Sequence, residues 1–176
     1  MKRGAIVTIY GSIDERVECR VMDSLGRMAK DPPKLLTLVL NSPGGFFVSS
    51  FTIQMALEDL PMPVEGLVFG QAASGCFSIL QRCSWRAAMA DASLTHHAPT
   101  MTGWRIDHPE YEHYSKLLRE LFELELEHLS RRSGQPIKQW REWASDERRF
   151  TAEEAFGLGI IDAIYYRVPE SLKENL

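Results

Sequence analysis

The sequence predicts an α/β fold built on a mostly parallel sheet, and three observations carry that reading. Runs rich in β-branched residues recur at Ala5–Tyr10, Leu35–Leu40 and Val64–Phe69. Segments of helical period separate them. The second and third runs are apolar almost throughout, as strands buried on both faces must be. Such alternation brings each strand back parallel to the last through a right-handed crossover.

Taken in order, Ala5–Tyr10 is the first strand, since the apolar run behind Lys2 and Arg3 is too brief for an export signal. Glu15–Ala29 places Val17, Val21, Leu25 and Met28 on one helical stripe, with Ser12 or Asp14 available as its cap. After the second strand, Val48–Leu60 reads as a helix that turns Ile53, Met55, Leu57 and Leu60 inward and is stopped by Pro61 and Pro63. Shorter strands are expected near Ala87–Met89, Ser93–His96 and Ile160–Ile164. Between them Pro109 to about Arg132 forms a long helix with a broad apolar stripe (Tyr114, Leu118, Leu121, Phe122, Leu129), ended by Gly134. So wide a stripe suits a helix that projects and pairs with another subunit. Without repeats or a linker, residues 1–176 read as one domain.

Composition narrows the function classes. A net charge of −4 with no basic block gives no electrostatic case for nucleic acid. No segment approaches the ~20 apolar residues that span a bilayer, so no membrane role is expected and a cytoplasmic location is. Cys19, Cys76 and Cys83 lack metal-type spacing and read as small hydrophobes in a reducing compartment, with Cys76 a weaker candidate for thiol reactivity. No cofactor and no metal is expected.

The chemistry lies in Gly70-Gln71-Ala72-Ala73-Ser74-Gly75, which follows Asn41-Ser42-Pro43-Gly44-Gly45. Acyl transfer needs a hydroxyl on a sharp strand-to-helix junction and a pair of free backbone N–H groups for the oxyanion. Small residues flank Ser74, and Gly45 and Gly75 can present their amides without a side chain in the way. Histidines follow in Ser93-Leu94-Thr95-His96-His97-Ala98-Pro99. Neighbours on an extended strand point to opposite faces, so only one of His96 and His97 can serve Ser74. The pattern points to a serine peptidase. Its order, Ser before His, and the absence of G-x-S-x-G argue against an esterase of the α/β-hydrolase type.

Four motifs in this order resemble the ClpP family, the proteolytic subunits of the ATP-dependent caseinolytic protease. They are Asn41-Ser42-Pro43-Gly44-Gly45, Gly70-Gln71-Ala72-Ala73-Ser74, His97-Ala98-Pro99, and Phe150-Thr151-Ala152-Glu153-Glu154-Ala155 with Gly159-Ile160-Ile161-Asp162. The resemblance runs from about Ala5 to Ile164. It implies a crotonase-like spiral of ββα units with a long protruding handle helix, here about 109–132. By the same resemblance Ser74 is the nucleophile, His97 the base, and Gly45 and Gly75 the oxyanion donors, while His96 packs or lies at an interface. The family's aspartate falls on Glu147, with Asp146 beside it as the alternative acid. Phe46 and Phe47 border the substrate pocket, and Met101 and Trp104 lie at the start of the handle, against the cleft or an interface between rings.

The resemblance further implies a peptide or unfolded-protein substrate and a homo-oligomer, with stacked rings of seven as the family's form. A Clp-type ATPase is the family's partner, yet the segments that gate the ring and help dock it have no counterpart ahead of Ala5–Tyr10. That partnership is therefore expected to be absent or made differently. Two other functions remain open: a crotonase-type acyl-CoA enzyme, which shares the two-amide oxyanion hole, and a catalytically impaired structural subunit, for which Glu147 in the acid position argues. Signal-peptide-digesting and phage-prohead peptidases of the same fold would keep the chemistry and change the substrate.

Overall fold

The computed structural model describes residues 4–100 and 110–173. Its strands are β1 (Ala5–Tyr10), β2 (Leu36–Ser42), β3 (Val64–Ala73), β4 (Trp85–Met89), β5 (Ser93–Thr95), β6 (Arg149–Thr151) and β7 (Ala163–Tyr165). Its helices are α1 (Glu15–Lys30), α2 (Phe47–Glu58), α3 (Gly75–Gln81), α4 (Tyr111–Ser133), α5 (Ile137–Ser145), α6 (Ala152–Gly157) and α7 (Glu170–Lys173). The main sheet runs β1-β2-β3-β4-β7 and is parallel at every one of those pairings.

Leu36–Leu40 is buried at every position, because apolar side chains cover both faces of β2. On one face Leu36, Leu38 and Leu40 join a core with Val21 and Leu25 of α1 and Ile53 and Leu57 of α2. On the other, Val39 and Leu67 meet Ala87 and Leu172 in a smaller cluster. Asp14 caps α1: its Oδ1 accepts from the Val17 N–H at 2.9 Å. Met55 departs from expectation. Together with Arg82 of the loop after α3 and Leu121 and Leu124 of α4 it lines a groove, while Ser49, Ser50 and Gln54 share the buried face of α2 with Ile53 and Leu57.

Strand β3 positions the site by changing partners along its length. Glu65–Val68 pairs with β4, and Gln71–Ala73 pairs with β5. The change falls at Phe69-Gly70, close to where the β2–β3 register also shifts. The end of β3 thereby leaves β4 and carries Ser74 to a short parallel pairing with β5, which in turn pairs antiparallel with β6.

Two segments differ from the sequence reading. Ile160 and Ile161 are buried core residues in a turn, and the strand begins only at Ala163. The neighbouring Asp162 is tied to Arg86: the guanidinium gives Nη2–Oδ1 at 2.7 Å and Nε–Oδ2 at 3.0 Å, and the Arg86 N–H donates to Oδ2 at 2.8 Å. Burial opposes ionisation of Asp162, yet those bonds outweigh it and hold the carboxyl below its ordinary value. In this way the Gly159–Asp162 motif anchors β7 to β4. Helix α5, not expected from the sequence, packs Trp140 and Trp143 into the aromatic part of the core with Phe77 and Phe150.

Helix α4 has 23 residues, and its buried side chains, Leu126 and Leu129, lie in its C-terminal half. Tyr114, Leu117 and Leu124 remain exposed. Gly134 ends it in the left-handed conformation, its N–H donating to the Ser130 carbonyl at 2.9 Å. Met101, Trp104 and Pro109 lie outside the described residues. No helix among the described residues is long and apolar enough to cross a membrane.

Candidate active site

Ser74 sits between β3 and α3 with φ 54° and ψ −128°, a backbone conformation that non-glycine residues seldom adopt. Strain of this kind persists only where surroundings over-determine it, and here they do. The Ser74 N–H donates to the Thr95 carbonyl at 3.0 Å, and the Ser74 carbonyl accepts from the Ser78 N–H at 3.2 Å. The hydroxyl itself has no hydrogen-bond partner among the described residues and is open to a cavity.

The loop after β2 is pressed against this turn. Gly44 has φ +88°, and a Cβ there would lie 2.6 Å from the Ala73 carbonyl oxygen and 2.7 Å from the Ser74 Cβ. Only glycine permits that approach. The Ile13 N–H donates to the Gly44 carbonyl and the Phe46 N–H to the Ile13 carbonyl, each at 2.8 Å. That parallel bridge takes the groups on either side of the Gly45 amide and leaves the Gly45 N–H without a partner among the described residues. Gly75, first residue of α3, likewise has an unpaired N–H, as helix geometry dictates for that position.

Gly45, Ser74, Gly75 and His97 line one open cavity of about 160 Å³. The structure thus gathers around one cavity the four residues that the sequence singled out as candidate nucleophile, base and amide donors. The imidazole of His97 forms a 2.8 Å hydrogen bond between Nδ1 and the Ala98 carbonyl oxygen. A carbonyl oxygen only accepts, so Nδ1 is the donor of this bond, and in the neutral tautomer that makes it, Nε2 is the nitrogen with a lone pair. His96 points the other way. It is 1% exposed, packed among Phe77, Phe122 and Trp140, and burial lowers its pKa to about 3. His96 is a neutral core residue.

The acidic candidates sit differently. Ser93–Thr95 pairs antiparallel with Thr151–Arg149, and the His96 N–H donates to the Arg148 carbonyl at 3.2 Å. Continuing that register by one more residue sets Glu147 opposite His97. The ladder ends there: Glu147 has φ 48°, and the Ala98 N–H reaches instead to the Ala144 carbonyl at 3.3 Å. Both Asp146 and Glu147 are exposed, and neither is joined to His97 by a hydrogen bond or ion pair among the described residues.

Four polar residues that the sequence reading passed over also line the cavity: Ser50 and Gln54 from α2, Ser78 from α3 and Glu125 from α4. Phe46 and Phe47 border it, as expected. Glu125 accepts a hydrogen bond from the Ser78 hydroxyl, and its Oε1 lies 4.0 Å from Nδ1 of His96. Burial raises the Glu125 pKa, and the Ser78 bond only partly offsets it. The signal was present in the sequence as a carboxylate on the apolar stripe of α4, at helical spacing from Leu121, Phe122 and Leu129. Cys76, fully buried behind the turn, has its thiol pushed up to about 12 by desolvation and is not a nucleophile at neutral pH.

Fold and cavity define the class: an α/β protein of the ClpP type, with a serine, a histidine and unpaired amides gathered at the sheet's branch point. The family model described as Clp protease matches residues 1–168, and the chain belongs to that family. Among curated relatives, the ATP-dependent Clp protease proteolytic subunit 2 of Corynebacterium jeikeium is 31% identical over 137 residues, covering 77% of this chain and 66% of that protein. Proteolytic subunit 2 of Thermobifida fusca is 28% identical over 175 residues, covering 96% of this chain and 84% of that protein. Proteolytic subunit 1 of Corynebacterium diphtheriae is 28% identical over 137 residues, covering 77% of this chain and 66% of that protein.

Proposed function

We propose that this chain is a serine endopeptidase that hydrolyses peptide bonds of unfolded proteins or short peptides inside an oligomeric chamber. The observation that carries the reading is Ser74, held at φ 54° with a free hydroxyl in the cavity that His97, Gly45 and Gly75 also line. Ser74 Oγ attacks the peptide carbonyl carbon while its proton passes to Nε2 of His97. The carbonyl oxygen, now an oxyanion, is met by the Gly45 and Gly75 N–H groups, which need no reorganisation to receive it. The imidazolium returns its proton to the leaving nitrogen as the C–N bond breaks, leaving an acyl-serine. Water then attacks that ester with the same proton transfers, releasing the acid and restoring Ser74.

In this reading Glu147 completes the triad. Extending the β5–β6 register past its last pair would set Glu147, and not Asp146, opposite His97, which favours Glu147. A turn of the His97 ring from the Ala98 carbonyl to the Glu147 carboxylate would supply the counter-charge for the imidazolium. A second reading draws on the geometry as it stands, with Nδ1 bonded to Ala98 and both acids exposed: a catalytically impaired subunit whose task is structural. Cleavage of casein and of short peptides by wild type and by Ser74→Ala separates the two. Turnover by the wild type alone supports the peptidase, and equal background from both supports the structural subunit. Turnover of an acyl-CoA thioester without peptide cleavage would favour crotonase-type chemistry instead.

Assembly into a homo-oligomer is part of the proposal, and the exposed Tyr114, Leu117 and Leu124 of α4 support it. The curated relatives are named as ATP-dependent, and a Clp-type ATPase is the partner class to test. Sedimentation that returned only monomer at micromolar concentration would defeat the assembly.

A further inference from the structure

One part of the cavity wall is polar. Ser50, Gln54, Ser78 and Glu125 line it together with Ser74, Gly75 and Phe47. Glu125 decides the character of this wall. Its side chain is 15% exposed, so the carboxylate is largely withdrawn from water yet reachable from the cavity. One oxygen is bonded to Ser78.

No Lys or Arg lies within ion-pair distance of Glu125 among the described residues. The cation that acts on it from the loop after α3 is Arg82, whose guanidinium is bound to Glu58 and donates to Gln54 at 3.3 Å. Arg82 also lies 3.2 Å from Nδ1 of His128. From the β5 side it faces His96, buried and neutral, and His97, whose Nδ1 proton is given to Ala98. A withdrawn carboxylate without a full counter-charge is costly and is relieved by a cation that enters with hydrogen bonds. The Ser50 Oγ, buried without a partner among the described residues, offers a further acceptor on the same wall.

We propose that Glu125 determines specificity, making this cavity a subsite for a basic side chain, Lys or Arg, on the acyl side of the bond cleaved. The aliphatic stem of that residue would lie along Phe47, and its ammonium or guanidinium would reach Glu125, with Gln54 and Ser50 completing its hydrogen bonds. An uncharged chain such as Leu buries the carboxylate further and pairs nothing with it. The inference rests on the peptidase reading above.

Peptidyl diphenyl phosphonates with Lys or Leu beside the phosphorus, applied to the full chain, test it, and a simple fluorophosphonate reports on Ser74 independently. The wild type is expected to react about tenfold or more faster with the Lys probe than with the Leu probe. That ratio should fall by about tenfold in Glu125→Gln, which keeps a partner for Ser78. A wild type that reacts with the fluorophosphonate but prefers the Leu probe overturns the inference and leaves the peptidase standing. An unchanged Lys:Leu ratio in Glu125→Gln overturns it as well. Should Glu125→Gln fail to fold, the wild-type ratio decides. Failure of all three probes overturns the peptidase reading and the subsite with it.

Discussion

The cavity around Ser74 and the turn that carries the acid candidates are built to different standards. On the nucleophile side, Ser74, Gly44, Gly45 and Gly75 are fixed by backbone: a bridge to Ile13, a bond to Thr95 and contacts too close for any Cβ at Gly44. On the acid side, Glu147 and Asp146 occupy an exposed turn in which the side chains bond to nothing described. Backbone amides cannot rotate out of position, whereas an exposed carboxylate reaches His97 only by adopting one of several rotamers. On the proposed peptidase reading, the difference teaches that nucleophile and oxyanion donors are pre-organised and that the acid's contribution is the adjustable part.

The largest effect is expected from the rigid side. Ser74→Ala or His97→Ala should each lower peptide turnover by about 10⁴-fold or more, because the two groups act as a unit, and the double variant should be no worse than either. Measured kcat for the three variants checks this. Next comes Gly45→Ala. Its Cβ would lie 2.1 Å from the Ile13 carbonyl oxygen, so the loop must move and take an amide donor with it. A loss of roughly 10²–10³-fold in kcat, with KM moving much less, is the expected split.

The acid side should give smaller numbers, and they sharpen the comparison. Glu147→Gln is expected to cost roughly 10–100-fold in kcat/KM, less than a buried triad acid costs, because water screens the exposed pair. Asp146→Asn should stay within about twofold. The opposite ranking would move the acid to Asp146, and no effect from either would leave the Ala98 carbonyl as the sole partner of Nδ1.

The smallest effect concerns His96, the mirror image of His97 one residue away. Its pKa is about 3 in the folded chain against an ordinary 6.5, so between those values the unfolded chain binds a proton that the folded chain refuses. Stability must therefore fall as pH drops below about 6.5, by up to about 1.4 kcal/mol per pH unit. Glu125, held above its ordinary range by burial, contributes the opposite slope where it titrates. Urea denaturation of wild type and His96→Phe across pH 7 to 5 isolates the histidine: the variant should lose most of the slope.

What could be read from the sequence follows the same division. Small residues in fixed order reveal a backbone device only together, since Gly44-Gly45 alone reads as a turn and gains its meaning from Ser74 and His97 following in order. The apolar runs gave β2 and β3 because burial on two faces leaves little room for polar residues, while β1, where buried Val7 and Ile9 alternate with less buried neighbours, was legible from its β-branched residues. Elements stabilised by distant partners were harder. Strand β4 begins at Trp85-Arg86, where an arginine is buried because Asp162, far along the chain, pairs with it and Gln81 and the Arg132 carbonyl accept its remaining bonds. That same pairing delays β7 to Ala163 and leaves Ile160 and Ile161 in a turn. Glu125 was passed over because a charge on an apolar stripe reads as surface until the cavity beneath it is known.

Intact mass after treatment with a fluorophosphonate tests the central claim most directly. One adduct on wild type, mapped to Ser74 and absent from Ser74→Ala and His97→Ala, is the result this account requires. An unmodified wild type, or an adduct mapped to another residue, would contradict it.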